Sequence, residues 1–343
     1  VRRGISTMLA ETARGYFPRA VSAVQGSLTR QTSSVDSFAP AIKALPAKRA
    51  GKSGARRRRS PGWVPNQHGA WAMLIAPVLV GSWPSFTWRQ ILLLVVAVVA
   101  YLALYAVGLW LKSGRKARYR SAALTYAAIT TVLLAALVIS EPRLLAWAPV
   151  YAGGIGLSLW ASWRRDDRSW WNDIVLVFLA CGATLVAAGM RPVADGVAVL
   201  SIAPAPFAWP PPGLRDGFAL MAAAVLLAYF LGTVVHVKGM IRDRNNPAVY
   251  LGSVIYHVVA VMLAVVAIGM VPGGVLRPFG VAGAVAAWAS WLLVVTSVAL
   301  LVRAIVVPTR WPGLSPKGIG LIEMGATVLA MITAVVAGLS VSY

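Results

Sequence analysis

The chain is 343 residues long, with 59% apolar residues, 12% charged residues and a formal net charge of +22. A water-soluble domain carries about 25% charged residues, so half that share cannot clothe a water-facing surface of this size, and the hydrophobicity excludes whole-chain disorder. What remains is an all-α polytopic membrane protein. Its one cysteine, Cys181, leaves no intramolecular disulfide and no cysteine-based metal cluster.

Residues 1–67 are rich in Lys and Arg, with the run Arg56-Arg57-Arg58-Arg59, against only Glu11 and Asp36. Nothing in this stretch reaches the roughly 20 apolar residues of a spanning helix. No apolar core precedes residue 68, so no secretory signal is expected. The stretch reads as a basic, largely disordered cytoplasmic tail that sits on anionic lipid headgroups. A transit peptide and a nucleic-acid arm are the less favoured readings of the same composition.

Residues 68–343 form the membrane domain, with nine apolar segments near 70–86, 91–111, 121–140, 144–162, 173–190, 217–237, 250–271, 279–303 and 318–339. Helices are expected, because backbone groups in lipid must be satisfied within their own segment. Nine crossings with the amino terminus inside put most of the 32 Lys and Arg into the tail and the connections after spans 2, 4, 6 and 8. Arg303 counts there as a loop residue after span 8. The other side receives Arg89, Arg143, Arg191, Arg215 and Arg277. This asymmetry is what the positive-inside rule asks for, and it predicts a plasma-membrane protein with its carboxyl terminus outside. The connection from Arg191 to Asp216 is proline-rich and reads as a surface loop.

Ionisable groups inside spans cost on the order of 2.5–3.5 kcal/mol and usually line an interior or a pathway. Tyr229, Thr233, His236, Met240 and Asp243 recur along one face of span 6, followed by Lys238, Arg242, Asn245 and Asn246. Span 7 carries Tyr250, Ser253 and His257 at the same spacing, and span 9 carries Glu323 and Thr327. His68 opens span 1, Asp173 opens span 5 and Lys112 ends span 2. All of these fall towards the cytoplasmic ends of their spans, which predicts a polar cavity lined from spans 1, 2, 6, 7 and 9. His236, Asp243, His257 and Glu323 are its candidate catalytic groups. His68, Lys112, Lys238, Arg242 and Asn246 are its candidate substrate-binding groups. Snorkelling to the interface is the competing reading, and the better one for Lys112 and Asp173. No two histidines share a helix at i, i+3 or i+4, so no metal site is read, and the residues name no cofactor.

Three stretches resemble the YwiC-like family of bacterial membrane proteins: Pro65-Asn66-Gln67-His68-Gly69-Ala70-Trp71-Ala72-Met73, Gly232-Thr233-Val234-Val235-His236-Val237-Lys238 with Met240-Ile241-Arg242, and Pro316-Lys317-Gly318-Ile319-Gly320-Leu321-Ile322-Glu323. The resemblance covers roughly 62–340 and implies no particular activity. A remoter likeness is to UbiA-type intramembrane prenyltransferases, nine-helix bundles with the amino terminus inside. That family binds a prenyl diphosphate through magnesium at two Asp-rich motifs. The second motif's place holds Asp243, but between Asp36 and Glu141 there is no acid at all, and Lys112, Arg115, Lys116, Arg118 and Arg120 stand where the first would be.

The expectation is therefore binding or transformation of an amphipathic lipid or isoprenoid in a cytoplasm-facing cavity, its anionic head gripped by cations directly. An enzyme of this kind would be a lipid or prenyl transferase. The alternatives are a proton-coupled transporter and a non-catalytic accessory protein. The bilayer is the expected partner, and nucleic acid is not.

Overall fold

The computed structural model describes residues 62–65, 69–191, 209–244, 246–267 and 287–342. Residues 1–61 of the tail, His68, Asn245, Arg277 and the proline-rich 192–208 lie outside them. Among the described residues there are nine α-helices: α1 (Ala70–Gly81), α2 (Trp88–Lys112), α3 (Ala117–Ser140), α4 (Ala148–Trp163, entered through a 3₁₀ segment Pro142–Trp147), α5 (Trp170–Gly189), α6 (Gly217–Ile241), α7 (Pro247–Ala267), α8 (Ala287–Arg310) and α9 (Pro316–Ser342).

Local chemistry sets the helix starts. Gln90 closes the start of α2 from within the first turn, its Oε1 accepting from the Thr87 N–H at 2.6 Å. Asp216 caps α6 by accepting from the Ala219 N–H at 3.2 Å. Pro247 and Pro316 open α7 and α9, where the missing N–H costs nothing.

Eight of the apolar segments are long and apolar enough to cross a membrane. The exception is α1. Its 12 residues rise about 18 Å, short of a hydrocarbon core of roughly 30 Å. The stretch read as a span over 70–86 thus holds a half-length helix. Trp63 packs edge-on to Tyr126 of α3, and its carbonyl accepts from the Tyr126 hydroxyl at 2.9 Å. Trp71, at the other end of this passage, packs on Tyr101, about 16 Å up α2 from Lys112. Non-helical backbone at such depth is tolerated where protein buries it, and Gly62 and Pro65 are both buried.

The closest helix pairs are α2 with α3, α6 with α9, α1 with α5 and α7 with α8. The largest buried cluster joins Ala76 and Val80 of α1, Val177 and Cys181 of α5, Leu226 and Phe230 of α6 and Ala330 and Ala334 of α9. Small residues permit the approach. A Cβ on Gly81 would sit 2.2 Å from the carbonyl oxygen of Thr184, so α1 and α5 meet backbone to backbone there. The surface is inverted relative to a soluble protein: Ile91, Val132, Ile139, Phe178, Met262, Val295 and Leu321 are exposed along the helices.

The connections gather into two faces. On one, Lys112 pairs with Asp167 at 2.7 Å, Lys238 with Asp173, and Arg244 donates to the Leu314 carbonyl at 3.1 Å. This basic face also carries Arg115, Lys116, Arg118, Arg164 and Arg165. On the opposite face Glu141 accepts from Arg89 at 3.1 Å and Arg143 at 2.5 Å, and Arg191 pairs with Asp216. Exposed tryptophans mark both ends, Trp163 and Trp311 at the basic face and Trp88 and Trp209 at the other.

Candidate functional site: a cavity above a buried ion pair

The polar stripe of α6 meets α7 at Gly232, where two α7 side chains lie against the glycine. A Cβ on Gly232 would fall 2.8 Å from the Tyr256 ring and 3.2 Å from His257 Nε2, so only glycine admits this spacing. The Tyr256 hydroxyl crosses to donate to the Ala228 carbonyl at 2.7 Å. Nearer the basic face the two helices diverge and leave a cavity of about 320 Å³, within the roughly 300–1,000 Å³ typical of ligand pockets. His236, Met240, Asp243, Asn246, Tyr250 and Ser253 line it, with Arg244 and, from the α8 end, Pro308 and Thr309. The wall is thus built by α6, α7 and the end of α8, not by α1, α2 and α9 as the sequence reading expected.

Two of the lining residues each hold a buried polar atom without a hydrogen-bond partner, His236 Nε2 and Ser253 Oγ. Both residues are about 2–3% exposed. Orphaned buried polar atoms are uncommon and call for an explanation.

One turn deeper lies a network that joins four helices. Glu323 Oε2 accepts from Arg303 Nη1 at 2.6 Å, from Thr233 at 3.1 Å and from the Tyr229 hydroxyl at 3.5 Å. The Thr327 hydroxyl donates to the Glu323 carbonyl at 2.7 Å and lies 3.0 Å from Tyr229. His257 Nδ1 stands 2.7 Å from the Ser253 carbonyl, which can only accept, so Nδ1 carries the proton. Its Nε2 then faces Arg303 Nη2 at 3.4 Å as an acceptor. Arg303 and Glu323 are 8% and 7% exposed and lie about 10 Å inside the ends of α8 and α9. Beyond them Thr296 and Thr333 bond to each other at 2.7 Å.

Arg303 corrects the sequence reading. It was placed in the loop after a span ending at 303, whereas α8 continues to Arg310 and carries it inside. The run Ala304-Ile305-Val306-Val307 was the available signal, since four apolar residues after an arginine extend the span past it.

The other expected residues divide. His236, Asp243 and Asn246 line the cavity, whereas His257 and Glu323 lie in the network beneath it. Lys112, Lys238 and Arg242 point elsewhere. Lys112 holds Asp167; Lys238 holds Asp173, donates to the Arg168 carbonyl at 3.2 Å and sits 4.1 Å over the Trp170 ring. Arg242 reaches the Arg168 carbonyl at 3.4 Å. Their common lateral position was not deducible from depth alone. Among the described residues no three His, Cys, Asp or Glu side chains come together as a metal site needs.

Lipid-type exposure along eight spanning helices, tryptophans at both ends and ionisable groups enclosed within define a multi-pass integral membrane protein. Residues 64–188, the stretch that holds the first-span motif, match the family model described as YwiC-like protein. A protein of Haemophilus influenzae named only as uncharacterized is 24% identical over 279 residues, which is 80% of this chain and 98% of that relative. The uncharacterized protein YwiC of Bacillus subtilis is 28% identical over 204 residues, 59% of this chain and 76% of the relative. No solved structure matches. The family match ends within α5, so the cavity and the ion pair lie beyond it.

Proposed function

We propose that the cavity binds the anionic head of an amphipathic molecule, a lipid or isoprenoid, entering from a basic face that is cytoplasmic in the cell membrane. The observation that carries this reading is the cavity at that face, largely apolar along its wall, two of whose lining residues, His236 and Ser253, each hold a buried polar atom without a partner. A head with oxygen acceptors satisfies both, Arg244 contributes positive charge at the rim, and Met240, Pro247, Tyr250, Pro308 and Pro312 lie along an apolar tail. Among the described residues Asp243 is the one acid on the wall, too few to bridge an anion through a metal, so the head is held by N–H and O–H donors. Asymmetry of the exposed cations favours the cytoplasmic assignment of that face. The test is mass spectrometry of lipid that co-purifies in nanodiscs. Wild type should carry a phosphorylated isoprenoid or enriched anionic lipid that His236→Ala with Ser253→Ala loses. The same bulk phospholipid in both samples would contradict the reading.

A second reading, proton-coupled transport, is favoured by a different observation, the contact of His257 with the Arg303–Glu323 pair inside the membrane. Such intramembrane groups commonly mark proton pathways. Proteoliposome flux that follows a proton gradient and disappears in Glu323→Gln would support it.

A further inference from the structure

The charge pair below the cavity is incompletely satisfied. Arg303 uses Nη1 on Glu323 and Nη2 on His257, while its Nε is buried without a partner, and so is Glu323 Oε1. Facing the Glu323 carboxylate are Tyr229 and Thr233 from α6 and Arg303 from α8, with His257 of α7 on the far side of Arg303. Helix α1, which also packs on α9, has no titratable side chain. His236 lies about one turn along α6 from Thr233, which donates to the Glu323 carboxylate.

We propose that this pair couples a proton to the cavity's ligand: Glu323 takes up a proton as an anionic head binds at His236 and Ser253, so that anion and proton enter together. The inference rests on the cavity reading above. In the empty protein the Glu323 carboxylate neutralises the Arg303 guanidinium. An anion one turn away is attracted by the guanidinium but repelled by the carboxylate. A proton from bulk water, accepted on a Glu323 carboxylate oxygen, removes that repulsion and leaves Arg303 as the anion's counter-charge. The enclosed charge sums to zero before and after, whereas either event alone leaves one uncompensated charge in a low-dielectric interior. The orphaned Oε1 provides an oxygen that takes the proton without displacing an existing bond. His257 is the poorer acceptor, because a proton on its Nε2 would face the guanidinium directly. By linkage the anion tightens proton binding as much as the proton tightens anion binding.

The test uses the full chain in nanodiscs with two probes, methanesulfonate and farnesyl sulfonate, monoanions whose charge stays fixed between about pH 5 and pH 8. Wild-type affinity should strengthen by up to about tenfold per pH unit as pH falls, with about one proton taken up per ligand in weakly buffered solution. Glu323→Gln should bind with the low-pH affinity at every pH and take up no proton. Response to farnesyl sulfonate alone identifies a lipid headgroup; response to methanesulfonate as well identifies the bare anion. Both outcomes support the coupling. A slope retained in Glu323→Gln overturns it. Wild-type binding without pH dependence overturns the coupling but leaves the cavity reading standing, and no binding of either probe at any pH overturns both. Should Glu323→Gln not fold, the wild-type proton count decides alone, and zero uptake rejects the proposal.

Discussion

Arg303 of α8 and Glu323 of α9 meet 2.6 Å apart inside the bundle, each less than a tenth exposed, and Thr233 of α6 donates to the same carboxylate oxygen. Truncating one partner strands the other charge, which costs about 3–5 kcal/mol in buried pairs, whereas replacing both by apolar groups is often close to neutral. Arg303→Met and Glu323→Leu should therefore each lower the thermal unfolding midpoint in detergent sharply, and the double variant should recover most of the loss. Additive losses in the double variant would mean that the pair does not act as a pair.

A second prediction concerns the half-length helix. α1 is too short to be held by its own span, and its end lies on the backbone of α5. An added Cβ at Gly81 would meet the Thr184 carbonyl at 2.2 Å, and backbone atoms cannot swing aside as a side chain can. Gly81→Ala should reduce the folded yield or cost about 1–3 kcal/mol as an overpacking change. Gly153→Ala is the control, since nothing lies within 4 Å of that Cβ; it should stay within about 0.5 kcal/mol of wild type. Equal behaviour of the two variants would reject the backbone contact.

These contrasts also show how much could be read in the chain. Helical periodicity is a local property, so the stripe Tyr229, Thr233, His236, Met240 and Asp243 and its counterpart Tyr250, Ser253 and His257 were visible from spacing alone. The structure sets them on helices that face each other across Gly232. Lateral neighbours are not local. Lys112, Lys238 and Arg242 share a depth with the cavity, yet their partners Asp167, Asp173 and the Arg168 carbonyl lie on the α4–α5 side of the bundle. Arg303 was misplaced for another reason: hydropathy blurs a span's ends, and a buried arginine whose partner is distant in sequence looks like a loop residue.

A third prediction follows from that lateral arrangement. Lys112 and Asp167 form a pair that is about one-third exposed on each side, and solvent-accessible pairs contribute roughly 0–1 kcal/mol. Lys112→Gln should leave both stability and farnesyl sulfonate binding within about twofold of wild type. Arg244→Gln, at the cavity rim, should weaken that binding several-fold. The reverse order would restore Lys112 as a ligand-gripping cation and displace the cavity as the binding site.

The last prediction concerns the side of the membrane. Arg115 and Arg165 stand on the face that carries most of the described cations, whereas Trp209 and Arg143 stand on the other. Cationic connections are retained in the cytoplasm during insertion, so the first pair should be hidden from outside and the second exposed. Cys181 is buried in the core, so Cys181→Ser gives a background free of native thiol. Single substitutions Arg115→Cys, Arg165→Cys, Arg143→Cys and Trp209→Cys are then treated with a membrane-impermeant maleimide in intact cells. The last two should label at once and the first two only after permeabilisation. Labelling of Arg115→Cys from outside would invert the bundle, turn the cavity to the exterior, and require its ligand to arrive from the other leaflet.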